Sequence, residues 1–362
     1  SYSLANNYIS QNGAVYNSVK STFVYHPMQL AMTSDTIIQD TVTKILPYAC
    51  QNCVIGDPMN LTYKNLLSIG EYAFENCSTL NSFDAQRLNL INQYAFKNSS
   101  LKTIFNTKEK AFSGTLEEGA FYGCSTLTGD IYIDSIGAGD SIVGDKIFMC
   151  DNYVAPSTQS FTVHFDNLRT LGNEVFKNSN VEGIIFSDNF ASGISETKVN
   201  GELLFSDPEV IQFTNLADRI IVPYGEDNFV GAKNLKNLEK FSSVRSANSA
   251  EMSIFHDCNN LTFVSFNKSA AFVGDFAFAG KSKLSKIDLG GKTFTTRDIY
   301  RGTSFISKKT LYREMINWDN NGVSFIGEKT FQRCGITEIQ NAQGLLEIGS
   351  YAFSENDKLI NL

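Results

Sequence analysis

The sequence predicts a repeat solenoid, and two observations predict it. A short segment recurs along the chain at a nearly constant period. Each copy also carries an apolar pattern that it could not bury by itself, so neighbouring copies must stack. The clearest pair is Leu67-Ser-Ile-Gly-Glu-Tyr-Ala-Phe-Glu-Asn-Cys-Ser-Thr-Leu80 and Leu346-Glu-Ile-Gly-Ser-Tyr-Ala-Phe-Ser-Glu-Asn-Asp-Lys-Leu359. Other copies are Leu90-Ile-Asn-Gln-Tyr-Ala-Phe96, Glu118-Gly-Ala-Phe121, Leu171-Gly-Asn-Glu-Val-Phe176, Val273-Gly-Asp-Phe-Ala-Phe278 and Ile326-Gly-Glu-Lys-Thr-Phe331.

The phenylalanine serves as an anchor for counting. Clear anchors are Phe74, Phe96, Phe121, Phe148, Phe176, Phe255, Phe278, Phe331 and Phe353. Successive steps from Phe74 to Phe176 are 22, 25, 27 and 28 residues, and the step from Phe331 to Phe353 is again 22. That period lies in the range of leucine-rich repeats. The 79 residues from Phe176 to Phe255 fit about three steps, with Phe205 and Phe229 as candidate degenerate anchors. The 53 residues from Phe278 to Phe331 fit two, so one coil there is expected to be disguised. The expectation is one solenoid over residues 1–362, of about a dozen irregular coils. A seam is expected near 223–250, and an insertion or degenerate coil at 290–322. The pattern is also interrupted at 129–146 and 187–200.

Within a coil, Leu101-Lys-Thr-Ile104, Leu284-Ser-Lys-Ile-Asp-Leu289 and Ile336-Thr-Glu-Ile339 alternate as short strands do, predicting one parallel β-ladder with coils about 4.8 Å apart. The Ile-Gly-x-x-Ala-Phe half then crosses the opposite side as a turn or short helix. Its alanine admits close backbones, and its phenylalanine fills the interior.

The run Ile69-Gly-Glu-Tyr-Ala-Phe-Glu-Asn-Cys-Ser-Thr-Leu80 resembles the BspA-type, or Treponema pallidum-type, leucine-rich repeat. Gly13-Ala-Val-Tyr-Asn17 resembles that family's G-x-L-Y-N unit, and Gly201-Glu-Leu-Leu-Phe205 resembles a second copy. Arg219-Ile-Ile-Val-Pro-Tyr-Gly225 resembles the I-x-V-P-x-G segment that closes such runs. The resemblance implies a secreted or surface-exposed protein, with adhesion to extracellular matrix proteins known for some members. It also implies a leader removed from this chain, since Ser1-Tyr2-Ser3-Leu4 opens no apolar h-region. The run Lys358-Leu-Ile-Asn-Leu362 has the look of a repeat strand with no polar cap, so either the last coil caps itself or more protein follows.

Composition narrows the partners. A formal net charge of -8 gives no overall attraction to phosphate backbones. No apolar run reaches the ~18 residues of a membrane span. Nucleic acid and membrane insertion are therefore not expected, and neither is a cofactor.

Candidate chemistry is sparse. Cys53, Cys77, Cys124, Cys258 and Cys334 all fall three residues after an anchor position, with Ser99 or Ser179 there in other coils. Cys50 fills an anchor slot, and Cys150 falls one place short of the register. A position that accepts Cys or Ser reads as a buried ladder. The alternatives are a disulfide, or a redox or metal site at Cys50-Gln-Asn-Cys53. His26, His164 and His256 belong to distant coils and share no metal-ligand spacing, and His256-Asp257-Cys258 is adjacent in sequence only. Ile136-Gly-Ala-Gly-Asp-Ser-Ile142 lacks the strand and helix context of a phosphate loop, so it reads as an inserted turn.

The remaining candidates are surfaces. Outward positions of the strand ladder are Asp84, Lys102, Thr103, Glu182, Ser265, Lys286, Asp288, Thr337 and Glu338. Their mixed charge and small polar character suit a protein or glycan ligand, and equally an idle solvated face. A second patch is Arg297, Tyr300, Arg301 and Trp318, where basic and aromatic residues interleave; the bland reading is a degenerate coil with buried aromatics. The functional expectation is a binding scaffold, an adhesin for host protein or glycan. The alternative is a spacer that displays another domain, and an enzyme is not expected.

Overall fold

Most described coils are closed by the same local device, a turn with two left-handed residues around the anchor. In the coil of Phe74 these are Tyr72 (φ 52) and Asn76 (φ 54), and in that of Phe96 they are Tyr94 and Asn98, both at φ 54. Asparagine tolerates this backbone region, whereas other non-glycine residues are strained by roughly 1–2 kcal/mol each. The conformation aims alternate N–H groups at the next coil. Tyr72 donates to Gln93, Phe74 to Ala95 (2.7 Å) and Asn76 to Lys97 (2.8 Å). Each bond contributes only about 0.5–1.5 kcal/mol net, so the turn is stable because it is stacked.

The computed structural model describes residues 7–31, 40–53, 56–134, 142–151, 159–168, 170–187, 198–199, 202–203, 224–268, 270, 272–291, 322–345 and 347–360. The chain falls into two units. The first is Ser1–Glu182 with Gly225–Asn234, and the second is Gly183–Tyr224 with Leu235–Leu362.

In the first unit, two-residue strands stack in parallel, from Lys44–Ile45 through Ser68–Ile69, Leu90–Ile91, Thr115–Leu116 and Ile142–Val143 to Thr170–Leu171. Three strands extend this sheet at its N-terminal side, Tyr8–Gln11, Ala14–Asn17 and Thr22–Tyr25, antiparallel to one another. The tight Asn12-Gly13 turn joins the first two, with φ of 50 and 86. On the other limb, Met59–Tyr63, Leu80–Ala85 and Thr103–Ile104 are parallel, as are Gly129–Asp134 and Phe161–Asp166. In the second unit, Phe272–Val273, Phe325–Ile326 and Glu347–Ile348 form one parallel set. Asn237–Phe241, Phe263–Phe266, Lys286–Asp288 and Glu338–Gln340 form another. Lys198–Val199 and Glu202–Leu203 make a small antiparallel pair.

The limb expected to be turn or short helix is therefore a second β-ladder leading into a turn. Among the described residues helix is limited to three 3-10 turns, at Lys108–Lys110, Ala250–Met252 and Ala342–Gly344. Glycine after the short strand is required by proximity: a Cβ on Gly70 would sit 2.3 Å from the backbone nitrogen of Pro47 in the preceding coil.

The core is a column of stacked rings. In the first unit Phe74, Phe96, Phe121, Phe148, Phe176 and Phe229 follow one another with centroids 5.2–6.0 Å apart and planes within 13°. In the second, Phe255, Phe278, Phe331 and Phe353 stack at 4.5–5.4 Å with planes within 19°. Two counts made from spacing need correction. Phe331 stacks directly on Phe278, so in the ring column of the described residues this 53-residue interval is one step, where two were expected. Phe229 stacks directly on Phe176, which makes that 53-residue interval a single step as well. Phe205 lies outside the described residues.

Burying such a ring stabilises by about 1.5–3 kcal/mol, and each stacked pair adds about 0.5–1.5 kcal/mol. Phe96 is fully buried and stacked on both faces. Phe96→Ala is expected to cost about 3–5 kcal/mol in urea unfolding followed by circular dichroism. A loss below about 1 kcal/mol, the level of an ordinary substitution, would remove the column from its central role. Gly70→Ala should also destabilise, because the intruding methyl meets backbone on the neighbouring coil.

Candidate ligand-binding faces

Alternation along the longer strands decides what reaches solvent. In Met59–Tyr63 the apolar residues are buried, and Asn60 and Thr62 are exposed. Across from them lie Ser82 and Asp84, and Thr103 follows Ser82 in register. Asn60 Oδ1 accepts from Ser82 Oγ at 2.6 Å and from Asn81 Nδ2 at 2.8 Å. Asp84 is half-buried and paired with Lys110, Lys102 is exposed, and Glu182 accepts a hydrogen bond from Ser160.

The most developed part of this face escaped sequence reasoning. Gly129–Asp134 and Phe161–Asp166 pair over six residues, which sets Tyr132 directly opposite His164. Their rings stack at 4.3 Å and 13°. His164 Nε2 lies 2.8 Å from Asp130 Oδ1, and Asn167 Nδ2 donates to Asp134 at 2.9 Å. The inward run Ile131, Ile133, Val163 and Phe165 was a legible signal that Tyr132 and His164 point outward. The register between the strands was not legible, because the interrupting segment at 129–146 hides it.

In the second unit Lys286 stands opposite Glu338 at 3.6 Å, with its Nζ 5.9 Å from the centre of the Phe263 ring. Asp288 Oδ1 accepts from Asn341 Nδ2 at 2.8 Å and from the Gly290 N–H at 2.9 Å. Thr337 Oγ1 donates to the Ser285 carbonyl at 3.1 Å. Ser265 departs from its expected outward position. A register shift between Leu238 and Phe241 leaves it only 8% exposed, with its Oγ accepting from the Lys240 N–H at 2.8 Å. Arg297, Tyr300, Arg301 and Trp318 lie outside the described residues.

The turn limb of the first unit carries another aromatic row. Tyr48, Tyr72 and Tyr94 stack at 5.4 Å, and Lys97 Nζ lies 5.8 and 5.7 Å from the centres of the latter two rings. The Tyr94 hydroxyl donates to Glu118, which holds that carboxyl below the usual carboxylate range, with Lys146 adding to the effect.

All seven cysteines are free and buried. Their position in the coil has a bonding role: Cys124 donates to the Phe96 carbonyl at 3.0 Å, and Cys334 to that of Phe278 at 3.2 Å. Burial pushes the Cys77, Cys124 and Cys334 thiols up to about 12. One histidine does meet a cysteine, contrary to the reading that the histidines stand apart. His26 Nδ1 lies 3.5 Å from Cys53 Sγ, because 27 residues of sequence amount to one coil in space. Among the described residues no group of three or more His, Cys, Asp and Glu side chains is placed to hold a metal ion, and no helix is long and apolar enough to cross a membrane.

Comparison with known proteins adds a family. The family model described as BspA type leucine rich repeat region matches residues 29–128, 114–197 and 225–360, in six copies. No curated protein matches the sequence. Among solved structures, a leucine-rich repeat protein from Bacteroides ovatus is similar at 18% identity and a TM-score of 0.33, over 100% of this chain and 93% of that one. A leucine-rich repeat protein from Eubacterium ventriosum is 12% identical (TM-score 0.28; 100% and 90%). A leucine rich cell surface protein from Faecalibacterium prausnitzii is 14% identical (TM-score 0.30; 96% and 94%). At such TM-scores the three likenesses add nothing to the family match.

Two outcomes follow from this geometry. At pH 8 native protein should leave Cys77, Cys124 and Cys334 unalkylated by iodoacetamide, and denaturant should release all three; rapid native alkylation would contradict their burial. Lys286→Ala should change stability by less than about 1 kcal/mol, since its partner is exposed and screened; a larger loss in thermal unfolding would make Lys286 a structural residue.

Proposed function

Since the chain belongs to the BspA-type leucine-rich repeat family, we propose that it is a secreted or cell-surface adhesin whose strand face recognises a host protein or glycan. The observation that carries this reading is the Tyr132–His164 pair with Asp130 and Asp134 beside it. This half-buried aromatic pair stands on the outer side of the ladder among carboxylates, and aromatic side chains supply large contact area at interfaces and on sugar rings. The exposed Lys286–Glu338 and Asp288 group supports a similar role for the second unit. Residues placed on repeated strands are also held rigidly, which lowers the entropy lost on binding.

The spacer reading draws on one observation of its own. Asp84, Glu182, Lys286 and Asp288 are each satisfied by neighbours within the protein, so the face does not need a ligand to complete its hydrogen bonds.

The two readings separate by binding purified protein to an array of matrix proteins and glycans. Hits are then retested with Tyr132→Ala, His164→Ala, Lys286→Glu and Asp288→Lys. An adhesin should give a saturable hit that at least one variant weakens about tenfold, equivalent to about 1.4 kcal/mol. A silent array, or hits indifferent to every face variant, would favour the spacer.

A further inference from the structure

The phenylalanine column changes character at the N-terminal end of the first unit. Backbone bonding identifies the anchor slot of each coil, since the anchor N–H donates to the residue just before the next anchor. Phe96 donates to Ala120, Phe74 to Ala95, Cys50 to Ala73 (2.7 Å) and His26 to Ala49 (2.7 Å). Cys50 and His26 therefore occupy the places that ring stacking fills elsewhere. Both are buried, at 0% and 1% exposure, and so is Cys53. His26 Nδ1 lies 3.5 Å from Cys53 Sγ, while His26 Nε2 is buried with no hydrogen-bond partner in the protein. The same is true of the Tyr63 hydroxyl, close enough to Cys50 for that thiol's charge to raise the phenol after burial has done so. Two consecutive coils thus exchange a stabilising ring for titratable groups, and leave two buried polar atoms without a partner. Neither exchange helps packing.

The two thiols are also placed to bond. The Cys53 N–H donates to the Cys50 carbonyl at 3.3 Å, closing a turn. Such a turn keeps its end Cα atoms within about 7 Å, which overlaps the roughly 4.4–6.8 Å that a disulfide spans. The Cys50 thiol, and after it His26, hold Cys53 below the ordinary thiol range despite burial. Burial and the neighbouring Cys53 push Cys50 up. One sulfur is thereby the nucleophile and the other the proton-bearing partner, whereas burial raises the ladder thiols Cys77, Cys124 and Cys334.

We propose that Cys50 and Cys53 are a dithiol modification site, oxidised by a small peroxide to an intramolecular disulfide with His26 as the positioning residue. The Cys53 thiolate attacks one peroxide oxygen; an S–O bond forms, the O–O bond breaks, and hydroxide leaves with the proton that Cys53 gave up to His26, as water. The Cys50 sulfur then attacks the Cys53 sulfenic acid. The S–S bond forms, the S–O bond breaks, and the departing hydroxide takes the Cys50 proton as a second water. Two thiols are oxidised by two electrons, and one peroxide is reduced to two waters. A peroxide is comparable to water in size and hydrogen bonding, so it can reach buried thiols that larger reagents cannot.

The test uses the full chain with hydrogen peroxide, followed by denaturation, alkylation and peptide mapping. The expected result is a peptide that retains a Cys50–Cys53 disulfide while Cys77, Cys124, Cys150, Cys258 and Cys334 are alkylated, with dithiothreitol reversing it. In Cys50→Ser, dimedone added with denaturant after the peroxide should trap a sulfenic acid at Cys53; in Cys53→Ser, Cys50 should stay reduced. His26→Phe restores the residue used by the other coils, so it should fold, yet slow dimedone capture at least about tenfold in the Cys50→Ser background. Full alkylation of both cysteines at a dose that oxidises methionine would overturn the proposal, as would oxidation spread evenly over the seven thiols. The wild-type mapping needs no variant, so a misfolded mutant does not decide the matter.

Discussion

Face-to-face packing of one phenylalanine per coil is the constraint on which the rest of this protein depends. A single coil has a strained turn, two short strands and one ring, and none of these is stable alone. Stacking makes them mutually supporting. The rings sit 5.2–6.0 Å apart in the first unit, close to the spacing of hydrogen-bonded strands. The same translation therefore satisfies the ring column, both strand ladders and the N–H groups of the turn. This shared spacing explains why the small residues are where they are: alanine before the anchor and glycine after the short strand stand where backbones approach most closely.

That economy also explains where variation is tolerated. The intervals Phe176 to Phe229 and Phe278 to Phe331 are each 53 residues, about twice the usual step, yet the rings at their ends stack directly. An insertion that leaves one coil and re-enters the next does not alter the translation between them, and loop closure becomes only slowly more costly with length. A change at the anchor keeps the translation but removes packing from the core. Replacing phenylalanine by Cys50 and His26 gives up ring burial in two successive coils, which is why those coils stand out as chemically distinct.

The strand faces follow a different logic. Their side chains do not hold the fold, and their partners are mostly exposed ion pairs of small energetic weight. Selection on them is free to follow recognition. In the first unit the outward residues include a stacked Tyr132–His164 pair, and in the second a cationic Lys286 lies over the Phe263 ring opposite Glu338. The family supplies a repeat scaffold, and the faces supply whatever specificity it has.

The sequence by itself determined the repeat, its anchors and the buried cysteine register, because each depends on a local pattern that recurs: ring, small residue, thiol. Alternation also put Lys286, Asp288 and Glu338 on strands, with Thr337 just before one, since it is a property of neighbours along the chain. Tertiary structure decided what depends on translation between coils. It showed that Phe331 rests directly on Phe278, that a register shift buries Ser265, and that Tyr132 meets His164. It also brought His26 to Cys53. All four are contacts between residues about one coil or more apart, and their register is set by how the coils stack, which no single coil encodes.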